Sequence, residues 1–277
     1  MLKINSNEFK KKNKQFLNSK FFPHIVIDNF LNKKIVNRVS NEIDGSIKNA
    51  QPYYNYNVKK LAINNKKNFG SNTSKLINFL NSKKFIKKLE KLTSIKGLIP
   101  DPRLEGGGIH IVRKGGYLNI HADFQSHIIN SSWERKINLL LYFNDNWKKN
   151  YNGNLELWSP DLDNNISILP KKNRVVIFHT GEKSFHGHPK PLDPPSNKVR
   201  KSIALYYYVD MKTKLKLKET NFVITHTDNF WKKIPMKIDQ FALRVFSYLK
   251  RKGFISDMVV TKFIKLFTKN NSENEKI

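Results

Sequence analysis

The sequence predicts an α+β protein that is mainly β, a sandwich or barrel of short strands with helices before and after it. Three observations carry this. Between Leu104 and Val209, short runs rich in β-branched and aromatic residues alternate with Gly, Pro, Asn and Asp, the punctuation of an all-β domain. No helix long enough for a crossover between parallel strands interrupts them. Helical apolar periodicity is confined to the flanks.

Taken in order, residues 1–20 are polar and Lys-rich and are expected to be a flexible basic lead-in, frayed or helical. Phe21 to Leu31 mixes β-branched and aromatic residues and reads as a strand. An amphipathic helix follows through Val36, Val39 and Ile43, with Asn32 as its N-cap. A second helical pattern starts near Ser74 and runs through Leu76, Ile77 and Leu80, then Phe85, Ile86, Leu89 and Leu92. The Asn- and Tyr-rich stretch between the two reads as loop with short strands, and both helices are expected to support a sheet.

From Leu104 the pattern changes. Gly106-Gly107-Gly108 leads into Ile109-His110-Ile111-Val112, and Gly115-Gly116 turns the chain into a strand bearing His121 and Asp123. Further strands are expected over Lys136 to Phe143, Gly153 to Trp158, Ile166 to Leu169, Arg174 to Thr180 and Ser202 to Val209. After Asp210, Ile238, Phe241, Ala242, Val245, Phe246 and Leu249 follow helical spacing. Gly253 breaks the chain before a second apolar helix through Ile255, Met258, Val259, Phe263, Ile264 and Phe267, and the tail from Asn270 is expected to be disordered. The two form either a helical hairpin packed on the β domain or a basic amphipathic surface for a membrane or partner.

Composition narrows the chemistry. With no cysteine, disulfides, thiolate zinc sites and cysteine nucleophiles are excluded, and any metal must be held by His, Asp or Glu. That suits a reducing cytoplasm, the expected compartment. Met1 to Lys20 lacks an apolar signal core, and no apolar run reaches the length of a spanning helix. The formal net charge is +29, but its distribution matters more than its sum. Residues 1–100 carry 21 Lys/Arg against 5 Asp/Glu and residues 211–277 carry 15 against 6, whereas residues 101–210 carry 15 against 11. Much of the excess is Lys beside Asn, which fits a compositional bias as well as a polyanionic partner.

The chemistry gathers in the balanced stretch. In His121-Ala122-Asp123 the two polar side chains sit at i and i+2 of a strand, on one face and about 7 Å apart at the backbone, so both can turn to one metal ion. A third ligand is sought downstream in His186-Gly187-His188-Pro189. Arg200-Lys201-Ser202 then opens another strand.

His-x-Asp on one strand, a second His about sixty residues later before a Gly and a Pro, and Arg-x-Ser opening the next strand resemble the Fe(II)- and 2-oxoglutarate-dependent dioxygenases, and within them the prolyl-4-hydroxylase-like branch. The resemblance covers Phe21 to Val209. It implies a double-stranded β-helix, or jelly roll, with a dioxygenase domain over 21–210, its catalytic core about 104–210, and a basic helical appendage over 211–277. His121, Asp123 and His186 would be the iron ligands, leaving three adjacent positions open as in a facial triad. Arg200 would grip the distal carboxylate of 2-oxoglutarate through parallel hydrogen bonds, and Ser202, facing the same way, would add another. His188 competes with His186, and Lys198 and Lys201 with Arg200.

The implied reaction couples oxidative decarboxylation of 2-oxoglutarate by O₂, giving succinate and CO₂, to hydroxylation of a substrate, with peptidyl proline the leading guess and ascorbate as an accessory reductant. The alternative is a basic membrane- or nucleic-acid-binding module on a catalytically silent jelly-roll scaffold. His110 is expected beside the pocket or in a structural role. His24, His127, His179 and His226 are expected to be structural or exposed, and Trp133, Trp147 and Trp158 to be packing anchors.

Overall fold

The structure, a computed structural model, describes residues 2, 6–216, 218–226, 228–229, 231 and 233–254. The helix expected from Ile255 to Phe267 and the tail from Asn270 lie outside them. In chain order the elements are α1 (Ser6–Lys11), α2 (Asn13–Leu17), β1 (His24–Ile27), α3 (Lys33–Ser46), β2 (Gln51–Tyr54), β3 (Val58–Ile63), α4 (Ser71–Leu80), α5 (Lys83–Thr93), β4 (Leu98–Pro100), β5 (Gly108–Val112), β6 (Tyr117–Ala122), β7 (Trp133–Tyr142), β8 (Leu155–Trp158), β9 (Asn165–Ile168), β10 (Val175–His179), β11 (His186–His188), β12 (Arg200–Asp210), β13 (Asn221–Phe222) and α6 (Lys233–Arg251).

The strands form one antiparallel sheet in the order β1-β10-β7-β12-β5-β3-β6-β11-β8-β9, with β2 on β3, β4 on β12 and β13 on β6. It curls into the half-barrel of a jelly roll, as the sequence predicts. The two longest strands, β7 and β12, pair at its centre. Their alternate residues separate two environments. Ile137, Leu139, Leu141, Ile203, Leu205 and Tyr207 join the main core on the convex side. Asn138, Leu140, Ser202 and Tyr206 line a cavity on the concave side.

Helices α3, α4 and α5 cover the convex face. Asn32 caps α3 by accepting from the Lys34 amide at 2.9 Å, as the sequence predicts. The helical pattern from Ser74 is two helices, because Ser82 accepts from the Phe85 amide and starts α5 afresh. Phe85, Leu89 and Leu92 are fully buried, each contributing about 1.5–3 kcal/mol of apolar transfer before chain entropy is charged against it.

Residues 6–17 of the expected lead-in form two short helices. Phe9 of α1 and Phe16 of α2 are fully buried, and Phe9 meets Phe85 edge-on at 6.1 Å. The strand expected over Phe21 to Leu31 forms over His24–Ile27, with Leu31 making only an isolated bridge to Leu2, since Phe21 and Asn29 on either side of the strand take positive φ. Among the described residues no helix is long and apolar enough to cross a membrane.

Candidate active site

Strands β6 and β11 are neighbours, and His121 and His186 face one another across the pair, ring centroids 4.5 Å apart. Both rings are fixed in the same way. Nδ1 of His121 lies 2.8 Å from the Asn119 carbonyl and Nδ1 of His186 lies 3.0 Å from the Ser184 carbonyl. A carbonyl only accepts, so each Nδ1 donates its proton, which leaves Nε2 as the nitrogen a metal would take. Those Nε2 atoms approach Asp123, at 3.6 Å for His121 and 3.3 Å for His186.

Asp123 stands one residue beyond the end of β6, yet its carboxylate returns to the same point as His121. The three donor atoms lie within 4.8 Å of one another. Two imidazoles and one carboxylate on one side suit a divalent first-row metal with open positions opposite. His188 is not in this group. It is buried and lines the cavity, and its Nδ1 has no hydrogen-bond partner.

The carboxylate is also held from behind. Nδ2 of Asn138 donates to Oδ2 of Asp123 at 2.6 Å, and the Arg135 guanidinium forms an ion pair with the same oxygen at 3.0 Å. Burial alone would raise the Asp123 pKa, but Arg135 and the two imidazoles hold it well below the usual carboxylate range. Arg135 is itself buried, donates from Nε to Asn138 Oδ1 and lies 3.4 Å from the Tyr206 ring centroid. It reaches the concave face through a register shift: Ile137 pairs with Tyr207 but Arg135 pairs with Tyr208. Lys136 is the extra residue, and a bulge of this kind turns the next side chain to the other face.

The three donors open onto a cavity of about 240 Å³ that also receives Lys60, His110, Arg200 and Ser202. Ala62, His110, Ser202 and Tyr142 lie in one row across β3, β5, β12 and β7, so Lys60, two residues before Ala62, shares their face. The buried Arg200 donates from Nε to the Gly153 carbonyl at 2.7 Å and reaches the Tyr142 hydroxyl at 3.5 Å. Among the described residues no carboxylate pairs with it, and burial lowers its pKa. A buried guanidinium without a counter-ion, across a cavity from a metal-type donor set, fits a carboxylate ligand. The competing lysines are elsewhere. Lys201 turns to the convex side and bonds both Asp44 oxygens at 2.7 Å, and Lys198 bonds the exposed Asp145 carbonyl.

Burial pushes Lys60 down to about 8, against the pull of Asp123 and with help from Arg135 and Arg200. The pKa values of His110 and His188 are driven well below the ordinary value, first by burial and then by Lys60 and Arg200. The site also draws on residues past 210. Phe222 of β13 pairs with His121, stacks on it at 5.2 Å and lines the cavity. Sequence reasoning missed Lys60, Arg135, Asn138 and Phe222. By contrast, His24 and His127 are buried away from the cavity, as are Trp147 and Trp158.

A model of the 2OG-Fe(II) oxygenase superfamily matches residues 107–208, the span that holds all three donors, Arg200 and Ser202. A prolyl-4-hydroxylase from Pseudomonas putida is similar in structure, with TM-score 0.54 and 14% identity over 73% of this chain and 98% of its own. A prolyl hydroxylase from Trichoplax adhaerens, in complex with a hypoxia inducible factor oxygen degradation domain peptide fragment, gives 0.51 and 17% over 75% and 91%. A non-heme alpha ketoglutarate dependent carbocyclase from nogalamycin biosynthesis gives 0.52 and 9% over 83% and 92%. No curated protein matches the chain in sequence. Residues 107–208 thus match the 2OG-Fe(II) oxygenase superfamily in sequence, and the fold is like that of the prolyl-4-hydroxylases.

Proposed function

We propose that the protein is a non-haem Fe(II)- and 2-oxoglutarate-dependent dioxygenase that hydroxylates its substrate, with His121, Asp123 and His186 holding the iron and Arg200 and Ser202 the co-substrate. The observation that carries this is the convergence of three metal-type donors on a cavity whose far wall holds a buried guanidinium with no carboxylate partner among the described residues. Intact donors also speak against a catalytically silent scaffold. Bound iron supplies the activation of O₂ that couples decarboxylation of 2-oxoglutarate to hydroxylation.

The chain's own residues position and shield. The Asn119 and Ser184 carbonyls orient the two imidazoles, a partner arrangement that fixes the tautomer and raises ligand basicity. Arg135 and Asn138 engage one oxygen of Asp123, fixing the carboxylate that would hold the metal with the two imidazoles. Arg200 sets the depth at which a 2-oxo dicarboxylate lies, and Leu140, Phe124 and Tyr206 give the cavity apolar walls that limit water.

Peptidyl proline is the acceptor class supported by the likeness to two prolyl hydroxylases. A carbocyclase on a similar fold shows how far the acceptor can vary. Succinate release by anaerobically reconstituted protein, run with 2-oxoglutarate, ascorbate and a panel of prolyl peptides and metabolites, tests the proposal. Wild type is expected to turn over and to add one oxygen to its acceptor by mass, while Asp123→Ala and His186→Ala fall to background. Equal turnover in the variants would overturn it.

A further inference from the structure

Helix α6 carries apolar residues on two sides, and among the described residues only one of the two is covered. On the inner side Met236 is buried, Asp239 accepts from Asn57, and Gln240 Nε2 donates to the Phe222 carbonyl at 2.7 Å. On the outer side Ile234, Ile238, Phe241, Val245 and Tyr248 are 56%, 66%, 66%, 42% and 55% exposed. At 100° per residue these five fall within an arc of about 80° and form a stripe about 21 Å long. Five large apolar side chains aligned on one exposed face differ from scattered surface residues, because a contiguous patch of this kind marks a contact surface.

Charge and aromatic placement narrow what the stripe contacts. The exposed Lys233, Lys237 and Arg244 occupy the arc next to the stripe along one side, Arg244 also meeting Glu219 at 3.7 Å. The one acidic residue of the helix, Asp239, lies on the inner side and is engaged by Asn57. Trp231, 71% exposed, stands before the helix, and Phe254, 76% exposed, after it. A central apolar band, a cationic flank and aromatic side chains at both ends are the features of a helix lying in the plane of a lipid interface. Residues 211–277 carry 15 Lys/Arg against 6 Asp/Glu, so the surrounding chain adds attraction to anionic headgroups.

We infer that α6 docks the protein on an anionic lipid surface through Ile234, Ile238, Phe241, Val245 and Tyr248, with Lys233, Lys237 and Arg244 meeting the headgroups. The helix is tied to the turn before β3 through Asn57 and to β13 through Phe222, so the docked lipid lies beside one wall of the cavity. The inference is independent of the iron chemistry.

The test uses the full chain with vesicles of phosphatidylcholine alone or with 30% phosphatidylserine, a composition of about one anionic headgroup in three. Co-sedimentation with the anionic vesicles and a blue shift of tryptophan emission are expected, because Trp231 is the most exposed tryptophan. Salt is expected to weaken the binding, and Ile238→Asp/Phe241→Asp to reduce partitioning at least tenfold while cobalt binding at the metal site persists. Lack of sedimentation with either vesicle, or equal binding to both, would overturn the inference. So would a loss of thermal stability in the double variant with no vesicle binding by wild type, which assigns the stripe to residues 255–277. A dimer abolished by the same variant, again without vesicle binding, would assign it to a second copy.

Discussion

Asp123 has partners on both sides before any metal arrives, with Arg135 and Asn138 behind it and two imidazole Nε2 atoms in front. Removing one member of a buried ion pair strands the other, at a cost of about 3–5 kcal/mol. Arg135→Met is therefore expected to lower the urea-unfolding free energy of the metal-free protein by that order, and adding Asp123→Asn to recover most of it. Simple additivity in that cycle would mean that Arg135 acts through its stacking on Tyr206 instead. Lys60 leads to a pH dependence. Its neighbours His110 and His188 are held neutral near pH 7, and Asp123, Arg135 and Arg200 keep their charges, so Lys60, held near 8, changes charge within the working range. An anionic co-substrate gains from the ammonium below pH 8 and loses it above. Calorimetric 2-oxoglutarate affinity is expected to fall between about pH 7 and 9.5 in wild type and to be weaker but flat in Lys60→Met. Stability of the free protein runs the other way. Native Lys60 gives up its proton near 8 and unfolded Lys60 near 10.5, so this contribution rises with pH across that window.

Strand β11 is three residues long, and its position between β6 and β8 rests on Gly187. A Cβ there would stand 2.8 Å from the carbonyl oxygens of both Leu118 and Asn119, closer than packed atoms come, so Gly187→Ala must push β11 off β6. Since His121 and His186 arrive on those two strands, cobalt affinity followed by visible absorption is expected to drop at least tenfold. Gly181→Ala, whose nearest neighbour would be 3.6 Å away, is the matched control and is expected to bind normally. The same elements show what was legible in the sequence. The histidines stand out because their chemistry is rare among Lys and Asn, and the strands of the β core read clearly because β-branched runs with Gly and Asn breaks have few other uses. β11 is invisible by composition, since His186-Gly187-His188 is a strand only by its partners. Arg135 is hidden by parity: strict alternation puts it with Ile137 and Leu139 on the convex side, and only the extra Lys136 in the register with β12 reverses that. Lys60 sits in Val58-Lys59-Lys60-Leu61, where a Lys-rich flank masks one cavity-facing ammonium. Phe222 belongs to a two-residue strand past the expected domain end.

Across the whole molecule the sheet has a division of labour. Its convex face, packed by α3, α4 and α5, contains the main apolar core, and nothing in that core depends on a metal. The concave face gathers donors from β6, the residue after it, and β11, which a metal would tie together. The protein should then be folded without metal, and loading should add linkage stability to an existing structure. A ligand at one hundred times its dissociation constant contributes about 2.7 kcal/mol. For domains of about 150–250 residues that corresponds to a rise in Tm of about 5–11 °C, at about 2–4 °C per kcal/mol. Chelator-treated protein is accordingly expected to keep its far-UV circular dichroism and a cooperative melt, and cobalt to raise Tm by that amount in wild type and not in Asp123→Ala. 2-Oxoglutarate is expected to add a further rise in wild type that Arg200→Ala loses while keeping the metal step. A protein that unfolds on chelation would place the metal in the core's stability instead, and a Tm unmoved by cobalt in wild type would remove His121, Asp123 and His186 as its ligands.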